Sequence, residues 1–171
     1  TIDEDSSTAY IQGLPQPESV LSKNIKYNKM QGEGTEENPY VIVTPDDVND
    51  IRNEASAYYV LANDIDMSEY EIDGLPMIPI GEAVAPFSGT IDGQGHAIKN
   101  YTYTQAGDNV GLFSLVTNAT FKNLTLENFE IFGRSNVGIL AGNVTEGINI
   151  ENVTVSGKVN GVTYSNVKST N

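Results

Sequence analysis

Apolar and polar residues alternate in short runs along the second half of the chain, and one six-residue pattern occurs there three times. Each copy reads apolar, charged, Asn, apolar, Thr, apolar, at residues 98–103, 121–126 and 150–155. Units of this length are typical of solenoids, in which each repeat buries its apolar face by stacking on the next. Because the pattern has the two-residue period of a strand, it predicts an all-β parallel β-helix.

The Asn of each copy is predicted to lie at a bend, because Asn tolerates a left-handed backbone better than other non-glycine residues. Stacked on one another, Asn100, Asn123 and Asn152 are predicted to form one ladder of amides, as side-chain amides do in cross-β stacks. The apolar positions should face the core, and the Thr positions should face solvent. The predicted inward residues are Ile98, Tyr101, Tyr103, Phe121, Leu124, Leu126, Ile150, Val153 and Val155.

One helix is predicted, over residues 45–55. Thr44 is a good N-cap, Pro45 suits the first turn, and Asp47 occupies the capping-box position. Three apolar residues at helical spacing give it one buried face: Val48, Ile51 and Ala55. The open end of a solenoid core must be covered, so this helix is expected to cap the first strands.

Composition divides the chain into an acidic leader or linker, residues 1–39, and a β-helix with its capping helix, residues 40–171. The net charge is −14, and residues 1–73 hold 16 acidic but only 4 basic side chains. Such a surface makes nucleic acid a poor partner, because phosphate binding needs Lys and Arg. No apolar run approaches the roughly 20 residues that cross a bilayer, so membrane insertion is not expected. The absence of Cys excludes disulfides and thiolate metal sites.

Several segments together resemble the GLUG-type repeats of bacterial surface proteins. These segments are 59–67, 78–81, 86–100, 111–114 and 138–142. The chain departs from that pattern at Ser114, where Gly is usual, and at Met77-Ile78, where an aromatic residue often precedes Pro-Ile-Gly. The same pattern resembles the non-catalytic N-terminal region of IgA-peptidase-like metalloproteases. The resemblance implies a right-handed parallel β-helix in an exported protein, extracellular or at the bacterial cell surface.

No catalytic, cofactor-binding or metal-binding residue is assigned from the sequence. His96 is the single histidine, so the two-histidine zinc motif of a metalloprotease cannot form from these residues. No Gly-x-Ser-x-Gly elbow accompanies it, and we interpret His96 as structural.

Paired carboxylates are the remaining catalytic candidates, because glycoside hydrolysis needs two of them about 5–9.5 Å apart. Asp64 and Asp66 are predicted to share one strand face, with Asp92 one coil later. Asp92 precedes Gly93, where Asp commonly forms a turn, and the turn interpretation is preferred. Weak calcium binding by Asp64, Asp66 and Glu69 is a further alternative, since oxygen ligands suit Ca²⁺.

Three other groups of residues could bind a partner, but each also has a simpler explanation. The tyrosines that could stack on sugars are Tyr101, Tyr103 and Tyr164, of which the first two fall at core positions. The Thr column that could bind ice is Thr102, Thr125 and Thr154, and Thr is a common strand residue. The Asn-x-Thr sequons are Asn100, Asn118, Asn123, Asn143 and Asn152, of which three belong to the repeat.

The sequence therefore predicts a non-catalytic extracellular β-helix module of a bacterial surface protein, with a role in adhesion or as a stalk. Two alternatives stay open: an accessory N-terminal region of a secreted metalloprotease, and a polysaccharide-active β-helix. A host or matrix glycan or protein is the expected kind of partner. No cofactor is predicted. The last coil should expose a strand edge, which predicts end-to-end self-association or continuation in a longer protein.

Overall fold

The computed structural model describes residues 30–169. Within this range the chain forms a β-solenoid of about four turns, each called a coil below, together with a single short helix. The strands are β1 (Tyr40–Ile42), β2 (Tyr58–Leu61), β3 (Ile65–Asp66), β4 (Thr90–Asp92), β5 (Ala97–Lys99), β6 (Thr102–Tyr103), β7 (Asp108–Val110), β8 (Phe113–Val116), β9 (Thr120–Ile131), β10 (Ser135–Val137), β11 (Ala141–Val144), β12 (Asn149–Val159) and β13 (Val162–Lys168).

The main sheet runs up the solenoid in the order β1, β2, β4, β9 and β12, and each of these neighbours is parallel to the next. Its register places Ile91 beside Phe121 and Phe121 beside Ile150. Two smaller parallel pairs, β7 with β10 and β8 with β11, form other sides of the last coils. The predicted all-β fold, a parallel β-helix, is confirmed.

Asparagine marks the corners of the coils, where one strand segment bends into the next. Among the described residues, nine asparagines have φ between 49° and 65°, in the left-handed region that Asn tolerates. They are Asn100, Asn109, Asn118, Asn123, Asn128, Asn136, Asn152, Asn160 and Asn166. The bend predicted at the Asn of the repeat is therefore confirmed for all three copies.

The predicted stacking of the three copies is wrong for the first copy. Residues 121–126 and 150–155 stack in register, with Leu124 beside Val153. Ile98, however, lies beside Leu126 and not beside Phe121, so the first copy occupies the following corner of its coil. The reason is the four-residue bend at 93–96, which lies between the paired positions that only residues 123–124 separate one coil later.

The interior is apolar and contains stacked aromatic rings. The centroid of the Phe113 ring lies 4.6 Å from that of Phe87 and 5.3 Å from that of Phe121, and all three side chains are buried. The predicted inward residues of the first two copies are buried except Tyr103, which is half-buried. In the last copy only Val153 is buried, because nothing in the described range stacks beyond it as a further parallel coil.

The helix lies at the N-terminal end of the solenoid. It runs from Pro45 to Asp50 and continues as a 3-10 turn from Ile51 to Asn53, so it is shorter than the predicted 45–55. The capping box is confirmed, because Thr44 Oγ1 accepts from the Asp47 amide and the Asp47 carboxylate accepts from the Thr44 amide.

The residues that follow the helix are bonded to β2. The Tyr59 hydroxyl donates to the Glu54 carbonyl oxygen at 2.7 Å and lies 3.4 Å from that of Ile51. Ala55 lies beyond the helix and the 3-10 turn. Val48 and Ile51 are buried, as the predicted apolar face requires.

Ten residues of the predicted linker fall within the described range. The Val41 amide donates to the Gln31 carbonyl and the Tyr58 amide to the Gly34 carbonyl, so this part is hydrogen-bonded to the first two strands. The predicted leader at 1–29 lies outside the described residues. In the described range, no helix is long and apolar enough to span a membrane.

At the other end the chain reverses. Asn160 and Gly161 have φ of 50° and 84°, which fits a tight hairpin turn, and β13 returns antiparallel along β12. β13 pairs with residues 154–159, so the edge that the repeat was expected to leave open is covered along this part. Every residue of β13 is itself exposed.

Candidate functional site

Asp66 and Asp92, two of the candidate catalytic carboxylates, each begin a ladder of side-chain amides. Asp66 Oδ1 accepts from the Ser68 amide at 2.9 Å and from Asn100 Nδ2 at 2.9 Å. Asp92 Oδ1 accepts from the Gln94 amide at 2.9 Å and from Asn123 Nδ2 at 3.3 Å. The turn interpretation of Asp92 is confirmed by the bond to Gln94.

Each ladder continues upward by the same bond, in which an Asn Nδ2 donates to the Oδ1 of the residue one coil below. Asn128 donates to Asn100 at 2.8 Å, and Asn152 donates to Asn123 at 3.0 Å. A third pair, Asn136 on Asn109, has a distance of 2.9 Å. The single ladder expected from Asn100, Asn123 and Asn152 is thus two ladders, since Asn100 stacks with Asn128.

The sequence contains a signal for this second ladder that the three-copy pattern misses. Leu126-Glu127-Asn128-Phe129 is a further copy of the apolar, charged, Asn, apolar pattern, directly after the second copy. The coil that contains β9 therefore has the pattern at two successive corners, and each corner forms amide bonds with its neighbouring coils.

Asp64, the third candidate carboxylate, belongs to a small exposed charge cluster. Its Oδ1 accepts from the Ala97 amide at 2.9 Å and lies 3.5 Å from His96 Nδ1, and its Oδ2 lies 3.3 Å from Lys99 Nζ. The backbone bond from Ala97 lowers the pKa of Asp64, and Lys99 and His96 act in the same direction. The single histidine therefore lies beside an aspartate, and its interpretation as structural stays a prediction.

The electrostatics of this region favour ionised carboxylates. The hydrogen bond from Asn100 lowers the pKa of Asp66, and the bond from Ser68 adds to it. A glycosidase acid needs the opposite, a carboxyl whose pKa is raised so that it holds a proton near neutral pH. Asp64 and Asp66 are thus suited to accepting hydrogen bonds and poorly suited to donating a catalytic proton.

Asp92 and Asp66 lie at different positions of the register, since Asp92 pairs with Val60 in the coil below and Asp66 pairs with Lys99 in the coil above. In the described part of the chain, no group of three or more His, Asp or Glu side chains could hold a metal ion.

The other candidate residues are mostly engaged in packing. Tyr101 is buried and its hydroxyl donates to the Met77 carbonyl, and the Tyr103 ring stacks on it with centroids 6.5 Å apart. Tyr164 is exposed, on β13. The Thr column is two residues tall, because Thr125 pairs with Thr154 whereas Thr102 pairs with Glu130.

Four of the five sequon asparagines use their amide nitrogen to bond another side chain. Asn118 Nδ2 donates to Glu146 Oε1 at 3.2 Å, and the other three are Asn100, Asn123 and Asn152 in the ladders. These side-chain bonds therefore explain the asparagines of the four sequons without invoking glycosylation.

Two concave surfaces formed by described residues bear on binding. The first, here called the side cleft, has a volume of about 270 Å³ and lies between the 67–77 segment and the 100–105 segment. Its buried floor is Met67, Met77 and Tyr101. Its polar side chains include Ser68, Tyr70, Glu71, Thr102, Thr104 and Gln105. The Tyr70 hydroxyl donates to Asp46 Oδ1 at 2.7 Å, which fixes the ring at the rim.

The second surface, here called the C-terminal groove, has a volume of about 530 Å³ and lies at the open end of the solenoid. One wall is Val137 to Leu140, and the other is formed by β12 and β13. Its apolar residues include Ile148, Val153, Val155, Tyr164 and Val167. Sequence reasoning predicted an open last coil but not this groove, because its second wall exists only after the chain reverses.

A family model described as the N-terminal region of the M26 IgA1-specific metallo-endopeptidases matches residues 18–157. The chain belongs to this family. The match is to the N-terminal region of these enzymes and not to their catalytic part. The finer resemblance to GLUG repeats stays a prediction.

Similar proteins are much longer than this chain. It is 37% identical over 141 residues to halomucin of Haloquadratum walsbyi, covering 77% of this chain and 2% of halomucin. It is 36% identical over 132 residues to a candidate Gly-rich membrane protein of Evansella cellulosilytica, covering 72% and 15%. Over 115 residues it is 30% identical to the immunoglobulin A1 protease of Streptococcus sanguinis, covering 67% and 6%.

A solved structure supports the fold. The crystal structure of a candidate immunoglobulin A1 protease from Bacteroides ovatus superposes with a TM-score of 0.59 at 23% identity, covering 75% of this chain and 40% of that one. At this identity the likeness shows the fold alone.

Proposed function

We propose that this chain is a non-catalytic spacer in the N-terminal accessory region of a longer extracellular protein of the IgA1 protease type. The match of residues 18–157 to the N-terminal region of that protease family carries the proposal. A place outside the cell or at its surface is supported by the names of the relatives, which include halomucin, a membrane protein and a protease.

The geometry suits a spacer because successive coils are bonded in register both through the backbone and through side-chain amides. Each coil adds about 4.8 Å along the axis, so four coils span about 19 Å. The two amide ladders lock adjacent corners, at Asn100 with Asn128 and at Asn123 with Asn152. A rod built in this way holds its two ends at a fixed separation.

The spacer proposal is tested by looking for turnover. The purified chain is incubated with IgA1, with peptides and with a panel of polysaccharides, and no cleavage product is expected. Sugar release that disappears in Asp64→Asn or Asp92→Asn would overturn the proposal in favour of the polysaccharide-active alternative. The matched control is Asp73→Asn, at an exposed turn away from both ladders.

Adhesion is a second candidate function, favoured by the side cleft. Its buried apolar floor, fixed Tyr70 ring and exposed Glu71 and Gln105 side chains suit a sugar, which presents an apolar face and several hydroxyl groups. A glycan and matrix-protein array on the chain should then give a signal that falls in Tyr70→Ala and in Glu71→Gln. An equal signal from Glu151→Gln, a control at an exposed position of β12 outside the cleft, is expected. Absence of any signal would remove the adhesive role and leave the spacer role standing.

A further inference from the structure

The hairpin turn between β12 and β13 carries a chemically reactive pair of residues. Asn160 and Gly161 form the only Asn-Gly pair in the sequence, and they connect the paired residues Val159 and Val162. Both turn residues are exposed, with φ of 50° and 84°. In such a pair the main-chain nitrogen of the glycine can attack the side-chain amide carbon of the asparagine, because glycine has no Cβ to obstruct the approach.

The attacking group of this reaction is unhindered in the structure. Among the described residues, no acceptor is hydrogen-bonded to the main-chain amide of Gly161. A Cβ built on Gly161 would meet no atom within 4 Å, so a ring can form at this position without a clash. The nitrogen can therefore approach the side chain without giving up a hydrogen bond of its own.

The amide group under attack is held by a donor on its oxygen. Asn160 Oδ1 accepts a hydrogen bond from the main-chain amide of Gly133 at 3.0 Å. Negative charge develops on this oxygen as the amide carbon becomes tetrahedral, and a fixed N–H donor stabilises such charge. Within the described range, Asn160 Nδ2, which must leave, makes no hydrogen bond that would retain it. The turn thus combines a free nucleophile, an oxyanion donor and an unrestrained leaving group.

We propose that Asn160 is a site of spontaneous deamidation. The Gly161 nitrogen forms a bond to Cγ of Asn160, the proton of that nitrogen passes through solvent to Nδ2, and Nδ2 leaves as ammonia. The product is a cyclic succinimide, in which the nitrogen is bonded to both carbonyl carbons of residue 160. Water then hydrolyses one of these two bonds. Cleavage at Cγ gives aspartate, and cleavage at the main-chain carbon gives isoaspartate.

The asparagines at the corners of the coils lack this combination. Each of the other eight with a left-handed backbone precedes a residue that carries a Cβ. In the ladders the leaving group is also engaged, as in Asn152, whose Nδ2 donates to Asn123. Asn166 is the best comparison, since it is exposed and has φ of 49° but is followed by Val167. Conversion is therefore expected at Asn160 and not at the corners.

Deamidation changes the hairpin in two ways. Both products carry a carboxylate in place of the amide, which adds a negative charge to the turn. Isoaspartate also places its Cβ in the main chain, which lengthens the turn. Because the length of a hairpin turn fixes the register of its strands, the pairing of Val159 with Val162 depends on this length. Isoaspartate should therefore loosen β13, whereas aspartate should leave it paired.

Peptide mass spectrometry of the full chain, kept folded at mildly alkaline pH, tests the site. Asn160 should exchange its amide for a carboxylate at least about tenfold faster than Asn166, which lacks the glycine and the oxyanion donor. The rate should rise with pH, because the attacking nitrogen must lose its proton. Asn160→Gln is the matched variant, since its longer side chain cannot close the same ring, and it should show no conversion at residue 160.

Two results of that experiment would overturn the proposal. One is an unchanged Asn160 in the folded chain under conditions in which the urea-unfolded chain converts, since the turn would then protect the pair. The other is equal conversion at Asn160 and Asn166, since neither the glycine nor the Gly133 amide would then matter. Circular dichroism verifies that the chain stays folded during the incubation.

Amide hydrogen exchange on the separated products tests the consequence for β13. Exchange in β13 should be faster in the isoaspartate form than in freshly purified Asn160→Asp, which has the same charge and a normal main chain. Equal exchange in these two proteins would contradict the loosening of β13. Neither experiment depends on enzymatic turnover, so the proposed spacer role is tested separately.

Discussion

The N-terminal and C-terminal ends of this solenoid meet the same physical problem in different ways. A stack of coils leaves the apolar interior open wherever stacking stops. At the N-terminal end a capped helix and the 31–38 segment lie against the first strands, and the core residues there are buried. At the C-terminal end a hairpin covers part of the last strand edge but leaves its own apolar face exposed. At the N-terminal end the core is covered by residues close to it in sequence, whereas at the C-terminal end the described residues leave part of the apolar surface exposed.

This contrast indicates where stability and binding reside in the molecule. The middle coils have neighbours on both sides, so nearly all of their inward-facing side chains are buried, and Asn100 and Asn123 both donate and accept. The last coil has a parallel neighbour on one side only. Substitutions of the same kind should therefore cost much more in the middle than at the C-terminal end.

The largest difference is expected for aromatic truncation. Phe121→Ala removes a buried ring that packs against Phe87 and Phe113, and it should lower the free energy of unfolding by about 3–5 kcal/mol. Tyr164→Ala, on the exposed strand, should cost less than about 1 kcal/mol. Chemical denaturation measures both. Equal losses would show that the C-terminal end is as well packed as the middle.

The amide ladders provide the second difference. Asn123→Ala removes two side-chain hydrogen bonds and also places alanine in the left-handed backbone region, which alanine tolerates less well than asparagine. Together these should lower the free energy of unfolding by about 2–3 kcal/mol. Asn152→Ala loses one ladder bond, so its cost should be smaller by about 1 kcal/mol. Asn123→Gly keeps the backbone conformation accessible and isolates the contribution of the amide. If the alanine and glycine variants at 123 are equally stable, the left-handed backbone contributes nothing.

The helix cap at the closed end is the third test. Thr44→Ala removes the side chain that accepts from the Asp47 amide and should destabilise the protein by about 1 kcal/mol. Thr163→Ala, an exposed threonine at the open end, should change stability by less than about 0.5 kcal/mol. Thermal unfolding of the two variants side by side is the measurement. An unchanged Thr44→Ala variant would mean that the helix is not coupled to the folded core.

The smallest expected effect is a pH dependence at the base of the first ladder. The pKa of Asp66 is lowered in the folded state. Its ionised carboxylate therefore stabilises the fold above the unfolded pKa of about 3.9, and this stabilisation is lost as the pH falls through the lower folded pKa. Between pH 5 and 2 the melting temperature of the wild type should fall more than that of Asp66→Asn. If the melting temperatures of the two proteins fall in parallel, the charge of Asp66 does not strengthen its hydrogen bond with Asn100.

The repeat, the corner asparagines and the helix cap could be predicted because each depends on residues that are close together in the sequence. The register of the first copy could not. Ile98-Lys99-Asn100 fits the corner at 121–123 and the corner at 126–128 equally well, since both corners have the same residue pattern. The deciding feature is the bend at 93–96, which is two residues longer than its counterpart at 123–124, and this difference is seen only when the coils are superposed.

The separation into two amide ladders could not be predicted for a related reason. Asp66 and Asp92 resemble a catalytic pair in sequence because both follow a strand and are separated by one repeat length. In the structure Asp66 and Asp92 each occupy the first position of a different ladder. There the carboxylate accepts a hydrogen bond from the asparagine amide above it, and one coil later an asparagine oxygen plays the same part. The C-terminal reversal had a signal in Asn160-Gly161, but the alternating apolar pattern beyond it is equally consistent with continued stacking.

Amide hydrogen exchange followed by mass spectrometry tests the central contrast most directly. The account predicts slow exchange in β2, β4 and β9, where each strand has parallel neighbours on both sides, and fast exchange in β13. Uniform protection along the main sheet and β13 would contradict the account.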